Sequence, residues 1–165
     1  MTIHYNLLLG AVFGVVLVTS GPIAEPYFVK QFEDDLKSKA VEVPGDMEPD
    51  GTRGKPYMMI SEIDRQESAQ RWQKYQDGIR YLAIHAVALS VLGLSMGKGW
   101  PQLIGGIGFS LGTLLFACGT AFGAVLDMPT LAVFAPMGAI FLLVGWLGLL
   151  LSAIKIRTTT QSKSA

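Results

Sequence analysis

The length of its uncharged apolar runs is what most limits how this chain can fold. Nearly every charge lies between Glu25 and Arg80 or after Ile154, with Lys98 and Asp127 the exceptions. The hydrocarbon layer of a bilayer is about 30 Å thick and a helix rises about 1.5 Å per residue, so about 20 apolar residues cross it. Four stretches have that length: Tyr5 to Ile23, Tyr81 to Gly97, Pro101 to Leu126 and Met128 to Ile154. The second is short and is expected to continue past the membrane on its charged side, while the third and fourth are long enough to tilt. Charged residues make up 16% of the chain, against about a quarter in soluble domains. The expected fold is therefore an all-α membrane protein with four transmembrane helices and an extramembrane insertion between helices 1 and 2.

Residues 1–24 form the first span, 25–80 the insertion, 81–154 the remaining spans and 155–165 a tail. The first run lacks a preceding Lys or Arg and a clear small-x-small site before Glu25, so it reads as a retained span rather than a cleaved signal. Four crossings put the N-terminus, the Lys98 connection and the tail on one side, with Lys98, Lys155, Arg157 and Lys163 and no acid. The short connection and tail are the better reporters for the positive-inside rule, so both termini are expected in the cytoplasm and the insertion outside it. Thirteen basic and thirteen acidic residues cancel, which removes the field that would recruit nucleic acid. A single cysteine, Cys118, precludes an intrachain disulfide or a thiolate metal cluster.

Within the insertion, Pro26 suits a first helical turn, and Phe28, Phe32 and Leu36 recur at four-residue spacing. This predicts an amphipathic helix lying on the membrane surface or on the second helix. Val43 to Tyr57 is dense in Pro-Gly-Asp type breakers, so regular structure is not expected there. Ser61 and Asp64 then form a helix-start pattern. A stalk helix is expected from about Glu62 into the membrane at Tyr81, with Glu67 and Arg71 paired and Trp72, Tyr75 and Ile79 on one face.

Helices in lipid associate by close approach of small residues. Candidate pairs are Gly10 with Gly14, Gly93 with Gly97, Gly108 with Gly112, Gly119 with Gly123, and Gly148 with Ser152; Gly105, Gly112 and Gly119, like Gly138 and Gly145, repeat every seven residues. Contact within one bundle explains these better than dimerisation, and the glycine-rich third helix is expected at the centre. With no strand before these glycines and no G-x-G-x-x-G, nucleotide binding is not indicated.

His85, one turn beyond Tyr81, is the strongly ionisable residue well inside a span and hence a functional candidate. A neutral imidazole bonded to a hydroxyl or carbonyl is the structural alternative and the favoured one. His4 and His85 fall near opposite faces of the membrane and cannot clasp one haem. Glu42, Asp46, Glu48 and Asp50 lack calcium-loop spacing and read as a solvated loop. Asp127, beside Pro129, can cap the fourth helix. Trp100, Trp146 and Tyr81 are expected near interfaces or helix ends. No catalytic signature stands out, and no cofactor is called for.

Tyr81-x-x-x-His85 with Ala88, the run Phe109-Ser110-Leu111-Gly112-Thr113-Leu114-Leu115-Phe116, and Pro136-Met137-Gly138-Ala139 followed by Phe141-Leu142 and Gly145-Trp146 span about Trp72 to Ile154. In their order and spacing this half resembles a family of small four-helix membrane proteins, number 423 among the domains of unknown function, with a eukaryotic relative called transmembrane protein 256. The resemblance implies four helices and a bacterial inner-membrane location, and brings no activity. The family's Gly-Ala-Phe-Gly-Ala-His stretch corresponds here to Thr19-Ser20-Gly21-Pro22-Ile23, so a paired-histidine role does not carry over. The insertion is also longer than the family's, which suggests an added contact surface. The leading expectation is a non-catalytic accessory or structural subunit of a membrane complex, or a homo-oligomer. The rivals are small-solute or proton permeation through His85, and a haem- or quinone-linked redox subunit.

Overall fold

The computed structural model describes residues 5–49, 51–95 and 99–163. His4, Asp50, Gly97 and Lys98, and the expectations attached to them, lie outside that set. The chain is predominantly helical: α1 (Tyr5–Val18), α2 (Glu25–Ser38), α3 (Glu62–Leu94), α4 (Trp100–Thr113), α5 (Gly119–Val125), α6 (Pro129–Ala132) and α7 (Ala135–Lys163), with a two-stranded antiparallel sheet of β1 (Val41–Val43) and β2 (Tyr57–Met59). Four helical stretches are long and apolar enough to cross a membrane: Tyr5–Ile23, Glu62–Leu94, Trp100–Val125 and Ala135–Ile154.

Two spans contain a π turn. In the first, Thr19–Ile23 includes Pro22, which has no N–H to donate, and Gly21 leaves the helical region. The hydroxyls of Thr19 and Ser20 bond back to the carbonyls of Val15 and Val16, and the Tyr75 hydroxyl donates to the Ser20 carbonyl. In the third span, Leu114–Cys118 joins α4 to α5, and Thr120 Oγ1 donates to the Phe116 carbonyl at 2.5 Å. The fourth span begins later than expected. Asp127 takes a left-handed φ of 52°, α6 follows as a single turn, and the long helix starts at Ala135. Asp127 does not cap a helix; the residue before Pro129 is Met128, and no side chain caps α6.

The insertion settles an alternative that its spacing left open. Its first helix chooses α3 over the membrane surface: Phe28 meets Tyr75 at 5.1 Å and Phe32 meets Trp72 at 5.8 Å, both edge to face. Two short strands flank the breaker-rich stretch as an antiparallel ribbon, and between them the described residues form no helix or strand, as expected, apart from one isolated bridge. Val41 pairs with Met59 and Val43 with Tyr57, an isolated bridge joins Met47 to Arg53, and Glu48 N donates to Thr52 O at 2.8 Å. Proline and glycine interrupt this ladder without shifting its register. The mirror relation extends into the helices, where Lys39 bonds Asp64, Gly10 faces Ser90 and Gly93 faces Leu7. The described residues between Tyr5 and Ser95 thus form one long antiparallel hairpin, which folds back where Gly51 N donates to the Glu48 carbonyl and Gly51 has φ 82°.

Ser61 caps α3 as its pattern predicts, accepting from Asp64 N at 3.1 Å. Helix α3 has 33 residues, about 50 Å at 1.5 Å per residue, so about 20 Å of it exceeds the hydrocarbon layer. The expected Glu67–Arg71 pair is replaced by longer-range partners described below.

Antiparallel α3 and α4 share the bundle centre, α1 packing on α3 and α7 on α4. The third helix is therefore central jointly with the second. Glycine sets the separations. A Cβ on Gly148 would fall 2.4 Å from Gly105 Cα, one on Gly108 2.6 Å from Gly145 N, one on Gly112 2.7 Å from Leu142 N, and one on Gly138 2.6 Å from Phe116 N. Gly119 is looser, 3.2 Å from the Leu131 carbonyl, and Gly14 faces open space, so neither holds a seam. At the other end, Asn6 Nδ2 donates to Gln102 O at 3.2 Å, and Gln102 Nε2 donates to the carbonyls of Leu92 and Ser95. These amides tie α1, α3 and α4 where backbone acceptors would otherwise face hydrocarbon.

Candidate functional site

Tyr81 and His85 stand one turn apart on α3, so the His85 ring reaches back to its own helix, with Nδ1 2.7 Å from the Tyr81 carbonyl oxygen. A carbonyl can only accept, so Nδ1 carries a proton, and in the neutral ring Nε2 holds the lone pair. The ring is 4% exposed and sits among aromatics from three helices. Tyr81 stacks at 6.2 Å, Phe109 lies at 6.1 Å and Trp146 at 6.4 Å, while Phe109 and Trp146 meet edge to face at 5.4 Å. Tyr81 in turn meets Phe116 at 4.8 Å. Trp146 is thus in the middle of α7 against this box rather than at an interface, whereas Trp100 opens α4 and is exposed. Among the described residues no carboxylate pairs with His85. Ring faces alone would offer an imidazolium about 0.5–2 kcal/mol, less than the several kcal/mol that burying an ion costs. The geometry suits a neutral imidazole that fastens α3 to α4 and α7.

The hydroxyls of the bundle divide into two groups. Ser90, Ser95, Ser110 and Thr120 each bond a carbonyl three or four residues back on their own helix. Thr113 and Ser152 are buried and have no partner. Thr113 falls on the same α4 face as Phe109, whose ring meets His85, and is followed in the π turn by Phe116, whose ring meets Tyr81. Cys118 is half-buried in the π turn of the third span, away from His85 in register.

A second polar constellation, not anticipated from the sequence, lies where the insertion meets the end of α5. The last carbonyls of a helix lack intrahelical donors and carry partial negative charge. Arg71 supplies both needs, donating from Nε and Nη2 to the Ala124 carbonyl at 3.2 and 3.0 Å. Its guanidinium also lies 5.0 Å over the Phe32 ring, 3.7 Å from Asp35 and 3.6 Å from Asp127. Gln31 Nε2 donates to the neighbouring Val125 carbonyl at 3.3 Å. Arg71 therefore joins α2, α3 and the end of the third span. The sequence carried a hint, a basic residue on an aromatic helix face, but its partner carbonyl is 53 positions away. Nearer the ribbon, Lys39 bridges Asp64 at 3.3 Å and Glu67 at 3.1 Å. Its hydrogen bonds to Glu67 and Asp64 raise the Lys39 pKa, and the Ser61 hydroxyl, followed by Lys39, lowers that of Asp64.

Residues 60–139 match the model of the family described as a protein of unknown function (DUF423), the family that the motifs of this half resemble. The match takes in α3, α4, α5 and the opening of α7, hence Arg71 and the aromatic box apart from Trp146, and it leaves out α1, α2 and the ribbon. No curated protein and no solved structure matches the chain.

Proposed function

We propose that this chain is a non-catalytic accessory subunit of a membrane complex. It crosses the bilayer four times, keeps both termini in the cytoplasm, and holds residues 25–80 outside as a stalk that meets a protein partner. A bacterial inner-membrane location and kinship with transmembrane protein 256 belong to the same reading. The observation that carries it is the contrast between a bundle whose ionisable and polar groups are mostly satisfied internally and an insertion that is tied to α3 and to the end of α5 yet exposes apolar side chains. Val41, Met47, Tyr57, Met58 and Met59 are all exposed on the ribbon. A two-stranded ribbon is marginal in water by itself, and side chains of this kind at its surface mark a contact region.

Mild-detergent extraction of native membranes followed by native electrophoresis tests the proposal. The expected result is a band well above the monomer, with a second polypeptide in a fixed ratio. A monodisperse monomer would count decisively against it.

A permeation role draws support from one observation, the unpartnered Thr113 hydroxyl on the face that meets His85 and Tyr81. That reading expects a proton or solute flux in proteoliposomes that His85→Ala abolishes. An unchanged flux in the variant would remove it. The redox reading expects visible absorbance in the purified protein, and a colourless sample would dispose of its haem version.

A further inference from the structure

Helices α2 and α3 leave a groove between them, about 260 Å³ in volume. Val29 and Leu36 line it from α2, Ala69 and Trp72 from α3, and each pair recurs at helical spacing. The floor is therefore two parallel apolar stripes, and ridges of this kind accept a third helix between them. The antiparallel register sets Phe32 at the level of Trp72 and Leu36 near that of Ser68, so the groove runs about two turns along the stalk.

The lips carry opposite charge. Glu33 stands on the α2 lip, 61% exposed and only loosely paired with Lys37 at 3.6 Å. Arg65 stands on the α3 lip, exposed and without an ion-pair partner among the described residues. Because α3 runs toward the membrane, the basic lip lies farther from the bilayer than the acidic one. The groove also begins close to the membrane: Val29 is six positions past Ile23, about 9 Å along a helix.

We infer that this groove seats the extramembrane continuation of a partner protein's membrane-spanning helix. That helix presents apolar residues three and four apart to Trp72 and Ala69, a basic residue to Glu33 and an acidic residue to Arg65. An apolar stripe answers the floor, and the reversed charges answer the lips. The inference rests on the accessory-subunit reading and goes further by naming the surface and the kind of segment that fills it.

The test places a photoreactive benzophenone side chain at Ala69, and separately at Met58 on the ribbon, in the full-length protein in its native membranes, followed by mass mapping of adducts. The expected result at Ala69 is an adduct with a peptide of a different protein, adjoining an apolar span, whose sequence shows the three-and-four apolar spacing and the two charges. Arg65→Glu should lower that yield roughly threefold, as exposed ion pairs do, with unchanged thermal unfolding. Adducts at Ala69 with a second copy of this chain, with lipid, or with a peptide lacking the pattern would each overturn the inference. Adducts with a partner at Met58 but none at Ala69 would overturn it while leaving the accessory reading intact. No adduct at either position would remove both.

Discussion

The α4–α7 seam and the α2–α3 stalk are both antiparallel helix pairs, yet opposite means hold them. Along the seam glycine meets glycine or backbone, with Gly148 on Gly105 and Gly108 on Gly145. Along the stalk aromatic rings interlock and cations bridge to acids and carbonyls. With the proposed topology, the difference follows from the solvent. Hydrocarbon gives apolar side chains no reason to leave it, so contact area must come from backbones approaching closely. Water does give that reason, so the stalk buries Phe32 and Tyr75 and spends charge at its edges.

The seam should be the harder of the two to alter. Gly148→Leu places a side chain into Gly105 and the Pro101 carbonyl, both backbone, and is expected to cost 3 kcal/mol or more, at the top of the range for overpacking, on the order of values seen in soluble cores. Thermal unfolding in detergent reads it, and a midpoint within a degree or two of the parent would refute close packing there. Phe32→Ala should cost about 3 kcal/mol, but locally: limited proteolysis should cut between α2 and α3 while the bundle keeps its midpoint. If both regions loosen together, stalk and bundle are one cooperative unit and the contrast dissolves.

Arg71 joins the two regions, so its loss should be felt in both. Arg71→Ala, which unpairs the Ala124 carbonyl, is expected to cost about 2 kcal/mol. Arg71→Lys should recover little of this, because a point ammonium cannot reproduce the two-nitrogen fork. Full rescue by lysine would reduce the contact to simple charge. A smaller effect separates two glycines that sequence spacing treats alike. Gly10→Ala would press on the Ala86 carbonyl and Ser90 and should cost about 1 kcal/mol. Gly14→Ala meets open space and should stabilise by up to about 1 kcal/mol through helix propensity.

The smallest expected effect is that of pH on the Ser61–Asp64–Lys39 clamp. The Asp64 pKa is lowered on folding, so its contribution is present above the ordinary carboxylate value and fades as pH falls through the depressed one. The Lys39 pKa is raised, so its contribution holds below the ordinary lysine value and fades only at still higher pH. Amide exchange in the first turn of α3 should therefore be flat in protection from about pH 5 to 9. A step near neutrality would mean that another group controls this end.

Much of the architecture could be read before any tertiary contact was known, because a bilayer imposes a length and a polarity that local sequence either meets or fails. The four apolar stretches, the Ser61 cap and the aromatic face of the stalk are all short-range properties. The two strands were not legible, because Pro44, Gly45, Gly54 and Pro56 signal turns one at a time, whereas the short strands they separate are defined by partners across the hairpin. The candidate site was legible by half. His85 announced itself by being ionisable at membrane depth, but the ring faces of Phe109 and Trp146 that surround it come from two other helices.

The sequence by itself determined which segments suit hydrocarbon, since transfer free energy is nearly additive along a helix. It also determined where α3 begins, since a cap is a contact across three residues. Only the tertiary structure decided that Arg71 serves a carbonyl on another span, that Gly10 is wedged while Gly14 is free, and that residues on either side of Glu48 to Gly51 mirror one another. Those outcomes depend on register and facing between distant segments, which one-dimensional spacing leaves open.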